Sequence, residues 1–136
     1  YAARRAAERM DDATLEALRS CNSAIWSAVK GSEPDIDTFL QRNREFHGLI
    51  LKAAASRRLT SLLGALIEQP VVWRTAHHCS REAFKRSHSE HNDLLSAFAR
   101  RDGSWAESVM AGHIRRAFHA YSDAHMGMAA LERGAA

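Results

Sequence analysis

The sequence predicts an all-α fold, one helical bundle, on three observations. Only two prolines and seven glycines interrupt 136 residues, so little is present to break a helix. No run of alternating β-branched residues marks a strand. Apolar residues recur three and four positions apart over long stretches, the spacing of one helix face. A chain of this length can bury a core that needs no disulfide or metal to fold, so a bound metal would serve function rather than folding.

The elements follow in order. Residues 1–10 read as the tail of one helix. Asp11 or Asp12 can cap a second, which runs to about Lys30 and stops at Gly31. Pro34, at a first-turn position where a missing N–H costs little, opens a third helix that continues to about Ala55. A fourth runs from about Arg57 into the seventies, where Pro70 should kink or end it. A fifth spans roughly Ser80 to Arg101. After an Asp102-Gly103 turn, Ser104-Trp105-Ala106-Glu107 forms a capping box that starts the last helix, reaching about Leu131. With no internal repeat and no low-complexity linker, the simplest reading is one domain over residues 1–136.

Composition narrows the function. A hydrophobic fraction of 46% and a charged fraction of 26% are ordinary for a soluble globular protein. No apolar run approaches the roughly 18 residues of a membrane span. The net charge of +3 is spread over short pairs such as Arg4-Arg5, Arg57-Arg58, Arg100-Arg101 and Arg115-Arg116, interleaved with acids and without aromatic stacking groups. That pattern reads as solvated faces and helix ends rather than a nucleic-acid surface. Cys21 and Cys79 show no metal-ligand spacing, and two thiols in a helical chain point to a reducing, cytoplasmic compartment. The chain opens on Tyr1, already in a helical pattern, as if part-way through a longer protein.

The informative residues are polar ones on apolar stripes. In the third helix the stripe reads Ile36, Phe39, Leu40, Asn43, Phe46, His47, Ile50, Leu51 and Ala54. In the fifth it reads Phe84, Ser87, His88, His91, Leu94, Leu95 and Phe98, with His91 where a leucine is expected. In the last, Ala106, Val109 and Met110 lead to His113, then Ala117, Ala120 and Tyr121. A single inward histidine is ordinarily a core residue bonded to a carbonyl or water. Three on three helices are costly to bury without partners, whereas a shared divalent cation satisfies all of them. Periodicity leaves both readings open. Asn43 and His47, four apart, cover one patch, and imidazole nitrogens with an amide oxygen suit Zn, Ni or Mn; Asn43 can equally be a buried amide bonded to neighbouring helices. His77, His78, His119 and His125 read as surface residues, and His88 flanks the cluster. Trp26, Trp73 and Trp105 read as core or dimer packing.

The motifs Asn43-Arg44-Glu45-Phe46-His47, Ser89-Glu90-His91-Asn92-Asp93-Leu94-Leu95-Ser96-Ala97, Arg101-Asp102 and Ala106-Glu107-Ser108-Val109-Met110-Ala111-Gly112-His113-Ile114 resemble the FCD (FadR C-terminal) effector-binding domain of GntR-family transcription regulators. Ala53-Ala54-Ala55-Ser56-Arg57-Arg58-Leu59 is similar to a turn of the same family that usually carries Asn where Ser56 stands. The resemblance covers nearly the whole chain. It implies six or seven antiparallel helices, a homodimer and a small carboxylate effector. It also implies DNA contact only through an N-terminal winged helix-turn-helix domain, which is not in this chain, and no membrane partner. Carried over, the metal ligands are Asn43, His47, His91 and His113, with positions left for an effector carboxylate or water. The family often has Asp at the first position; Asn43 brings no charge. Asn22, on the second helix's stripe with Leu15, Leu18, Ile25, Trp26 and Val29, and Ser87 are candidate effector-binding walls of the cavity, or simply bond to backbone.

The competing class is a metal-dependent hydrolase with a three-histidine site. That chemistry wants a nearby carboxylate as base, and Glu45 and Glu90, next to ligands in sequence, are expected to project away from them. Catalysis is therefore not expected. A purely structural dimerisation module, its histidines in the core, is the third reading.

Overall fold

Every helix start after the first can be traced to a side chain that satisfies an orphan N–H of the first turn. In the computed structural model, which describes residues 1–56, 58, 61, 76, 77 and 79–134 (side chains 121 and 128–134 excepted), the helices are α1 Ala2–Arg9, α2 Asp12–Val29, α3 Ile36–Ala53, α4 Arg81–Ala99 and α5 Gly103–Gly134. No strand occurs among the described residues. This is the all-α bundle the periodicity predicts, with five helices among the described residues against six or seven expected. The expected fourth helix, its kink at Pro70, Trp73 and His78 lie outside the described residues.

The caps refine the sequence reading. Asp11 accepts from Thr14 N–H at 2.6 Å and Ser80 from Ala83 N–H at 3.2 Å. Asp35, not Pro34, opens α3, accepting from Thr38 N–H at 3.0 Å, so the proline precedes the cap. Asp102, not Ser104, opens α5, accepting from Trp105 N–H at 2.9 Å, and Glu107 pairs with Arg4 of α1 instead of closing a capping box. The left-handed residue at the turn before α5 is Arg101, with φ 54°, not Gly103. Arg101 N–H returns to the Phe98 carbonyl and Asp102 N–H to the Ala97 carbonyl, both at 3.0 Å, which makes a Schellman turn. Asp102 thus closes α4 and opens α5. Gly103 answers a different demand: a Cβ there would meet Arg4 Cγ at 2.9 Å and the Arg4 carbonyl at 3.2 Å, because α1 crosses the start of α5.

Side-chain pairs give the topology. Cys21 of α2 donates to the Arg42 carbonyl of α3 at 3.0 Å, and both lie well back from the connecting turn, so α2 and α3 form an antiparallel hairpin. Between α2 and α4 the contacts run in opposite orders, Asn22 with Asn92, Trp26 with His88 and Lys30 with Arg81. This pair is antiparallel too. Helices α4 and α5 are antiparallel across the Schellman turn, with Glu90 meeting His113. The short α1 packs its alanine face, Ala3, Ala6 and Ala7, against α3, α4 and α5. Arg5 donates to the Ala54 carbonyl at 3.2 Å and caps the end of α3.

The core is Leu18, Ile25 and Val29 of α2, Phe39, Phe46 and Ile50 of α3, Phe84, Leu94 and Phe98 of α4, and Ala106 of α5, all buried. Phe39 and Phe84 meet edge to face at 4.6 Å. Trp26 and Trp105 do not join this core. They are 40% and 36% exposed; Trp26 stays outside because the buried arc of α2 turns toward Cys21 and Ala28 instead. No described helix is long and apolar enough to cross a membrane.

Candidate metal centre

Three helices deliver one imidazole each to the middle of the bundle. His47 comes from α3, His91 from α4 and His113 from α5, and their ligand-capable nitrogens all lie within 4.8 Å of one another. His91 and His113 are buried and His47 is half-buried. Ring centroids are 4.9–5.3 Å apart. His47 Nε2 and His113 Nε2 are 3.3 Å apart. Two nitrogens about 2.0–2.1 Å from one tetrahedral ion would stand about 3.3–3.4 Å apart, so the spacing suits a shared ion as well as an N–H···N bond.

The remaining ring nitrogens decide which face of each imidazole looks inward. His91 Nδ1 lies 3.2 Å from Asn22 Oδ1. Asn22 Nδ2 donates to Asn92 Oδ1 at 2.8 Å and the His88 carbonyl at 3.4 Å, which leaves Asn22 Oδ1 as the acceptor. His91 therefore carries its proton on Nδ1, and its Nε2 holds a lone pair. That Nε2 is buried and has no hydrogen-bond partner. His113 Nδ1 lies 2.7 Å from Glu90 Oε2, so its Nε2 likewise faces the other rings as a lone pair. Histidine ligands to metals are ordinarily backed in this way by a carbonyl or carboxylate. Phe46 lies flat against His91, with centroids 4.0 Å apart and planes 14° from parallel, and restrains that ring from the other side.

Asn43, one turn before His47, has its Oδ1 buried and unpartnered. An orphaned acceptor costs roughly 1–3 kcal/mol. A cation at the cluster would satisfy His91 Nε2, so the three histidines fit a divalent ion.

The electrostatics agree. Burial, and then the neighbouring His113, push His47 down to about 3. Burial, and then His47, His113 and His88, hold His91 well below the ordinary imidazole range. Both are neutral at neutral pH, the form that ligates metal. Burial alone would raise the Glu90 carboxyl, but hydrogen bonds from His113 and Arg116 outweigh it and keep the group ionised.

One sequence expectation changes here. Glu90 does not project away from the ligands. It is buried, accepts from His113 and is held on its other oxygen by Arg116 Nε. The reason is that α4 packs against α1, α2 and α5, so its buried arc includes Glu90, His91, Leu94, Ala97 and Phe98 and is wider than one stripe. Asn22 is 2% exposed and braces His91 from behind. Ser87 is half-buried one turn before His91. Glu45 pairs with Arg42 on the surface, as expected. His77, His119 and His125 are exposed, His77 lying 3.6 Å from Asp37, and His88 stacks on Trp26 beside the cluster.

An antiparallel helical bundle built around an internal cluster of three histidines is the class that fold and site define. Residues 1–116 match the FCD domain, and the chain belongs to that family. FCD domains occur in GntR-family regulators as the effector-binding domain. No curated protein and no solved structure matches the chain.

Proposed function

We propose that this FCD domain binds one divalent metal ion, of the Zn, Ni or Mn type, through Asn43, His47, His91 and His113. In this reading the ion presents open coordination positions to a small carboxylate effector. The observation that carries it is the buried, unpartnered His91 Nε2 among the clustered nitrogens of His47 and His113, with a second buried, unpartnered acceptor, Asn43 Oδ1, one turn before His47. An ion held by three imidazoles and an amide keeps its full double charge, because all four ligands are neutral. Such a site attracts anions and prefers carboxylate oxygen to neutral donors.

Binding would tie α3, α4 and α5 together where they meet around the ligands. A carboxylate joining that cross-link stabilises one arrangement of the helices over others, which is how occupancy would reach a DNA-binding domain joined to this one. Pairing of two such domains belongs to the same proposal, and Ile114 and Phe118, exposed one turn apart on α5, offer an apolar face for it. The role is regulatory rather than catalytic. Glu90, the carboxylate nearest the cluster among the described residues, has both oxygens engaged and is not free to act as a base.

The test is elemental analysis of the purified protein, then titration of chelator-treated protein with Zn2+, Ni2+ and Mn2+ and a thermal-shift screen over organic acids. About one ion per chain is expected. A carboxylate at a hundred times its Kd should add about 2.7 kcal/mol to metal-loaded protein and much less to metal-free protein. A wild type that takes up no divalent ion, and a His91→Ala variant that melts with it at every metal concentration, would overturn the proposal.

A further inference from the structure

We infer that Glu90, anchored by Arg116, is a positioning residue for metal binding: it accepts a hydrogen bond from the Nδ1–H of His113 and thereby turns that ring's Nε2 toward the ion. This rests on the metal-binding reading above.

Glu90 sits on a helix face otherwise made of His91, Leu94, Ala97 and Phe98. Burying a carboxylate among such neighbours costs several kcal/mol unless it is fully paired. Here it is paired on both sides. Oε2 lies 2.7 Å from His113 Nδ1, and Oε1 accepts from Arg116 Nε. Arg116, one turn after Gly112 on α5, is half-exposed, and its guanidinium lies over the bare Gly112 backbone, 3.5–3.7 Å from where a Cβ would be. It holds Glu90 from the solvent side without entering the cluster.

The geometry has a chemical consequence. A neutral imidazole carries its proton on either nitrogen, and only the form protonated at Nδ1 can donate to Glu90. The acceptor thus selects the form whose Nε2 is free for the ion. Glu90 also brings the only negative charge that the described residues place in contact with a ligand, since the ligand set itself is neutral. A carboxylate behind an imidazole makes the ring a stronger donor to a cation. The bracing crosses between helices: α2, through Asn22, orients His91 of α4, and α4, through Glu90, orients His113 of α5.

The experiment compares the whole chain with Glu90→Gln, Arg116→Gln and, as an exposed control, Glu82→Gln. Zn2+ affinity is read by competition with a chromophoric chelator. The protonated nitrogen of His113 is read in the metal-free proteins by long-range 1H–15N NMR. Glu90→Gln keeps the shape but loses the charge, and its amide can donate instead of accept. It is expected to weaken Zn2+ by about 10–100-fold and to move the His113 proton off Nδ1. Arg116→Gln should weaken Zn2+ several-fold, and the control should change neither reading.

A Glu90→Gln protein that binds Zn2+ within twofold of a metal-binding wild type overturns this inference alone. If the wild type binds no Zn2+, both readings fall together. Should Glu90→Gln not fold, the wild type still decides, because a His113 protonated at Nε2 in the metal-free protein is incompatible with the role assigned to Glu90.

Discussion

Acid should destabilise the metal-free domain well before its carboxylates titrate. In the folded protein His47 is pushed down to about 3 from 6.5, by burial and then by His113. Between those values the unfolded chain takes up a proton at this position that the folded chain refuses. A histidine whose folded value is depressed contributes full stability above about 6.5 and loses it as pH falls toward 3. The slope is about 1.4 kcal/mol per pH unit for each such group. At about pH 5 the loss from His47 alone is about 2 kcal/mol. His91, also held low by burial and by its histidine neighbours, acts with the same sign. Glu90 does not offset this. Its lowered value leaves it ionised in both states until the pH falls below about 4.5, so its own contribution disappears only in stronger acid. Domains are typically stable by about 5–15 kcal/mol, so such a loss is a large fraction of the whole. Urea unfolding of chelator-treated protein at several pH values between about 7.5 and 5 measures it. His47→Gln should flatten the profile by about one histidine's share. A profile equally steep in wild type and variant, or flat in both, would refute the assignment of His47 as a neutral imidazole in the folded domain.

Two further outcomes follow from single side chains. Asn43→Asp adds a negative charge at a proposed ligand, so calorimetry should show divalent metal bound at least about tenfold more tightly, about 1.4 kcal/mol. Carboxylate binding to the metal-loaded variant should weaken, because the site's net positive charge falls by one. At the turn between α4 and α5, Arg101 holds φ 54° against the Cβ penalty of the left-handed region. Arg101→Gly should raise stability by about 0.5–1 kcal/mol, seen as a melting temperature a few degrees higher, with Zn2+ affinity unchanged.

The parts of the site differed in how plainly they could be read. His47, His91 and His113 stood out because each occupies an apolar position of its own helix, and the 3.6-residue repeat applies whatever the helix packs against. Asn43 stood out for the same reason, four residues before His47. Glu90 did not, although it is adjacent to His91, because a single-stripe pattern assumes one buried side, and α4 is covered by α1, α2 and α5. Asn22 falls on the buried face of its helix, but its contact with His91 is not legible there. Periodicity shows that a side chain points inward; it does not show which histidine of another helix it will meet.

Local chemistry in the sequence determined most helix starts and stops, since an Asp or Ser cap acts on N–H groups only a few residues away. Where candidates competed, as with Pro34 and Asp35 or Asp102 and Ser104, the side chain that reached the orphan N–H prevailed. The sequence alone also determined the all-helical class and the three histidines, through spacing within single helices. Only the tertiary structure decided that these histidines share one centre, which nitrogen of His91 and His113 faces it, and that Glu90 and Asn22 stand behind them. Those facts depend on contacts between residues 23 and 69 positions apart, respectively, and such pairings are set by how helices pack rather than by any local repeat.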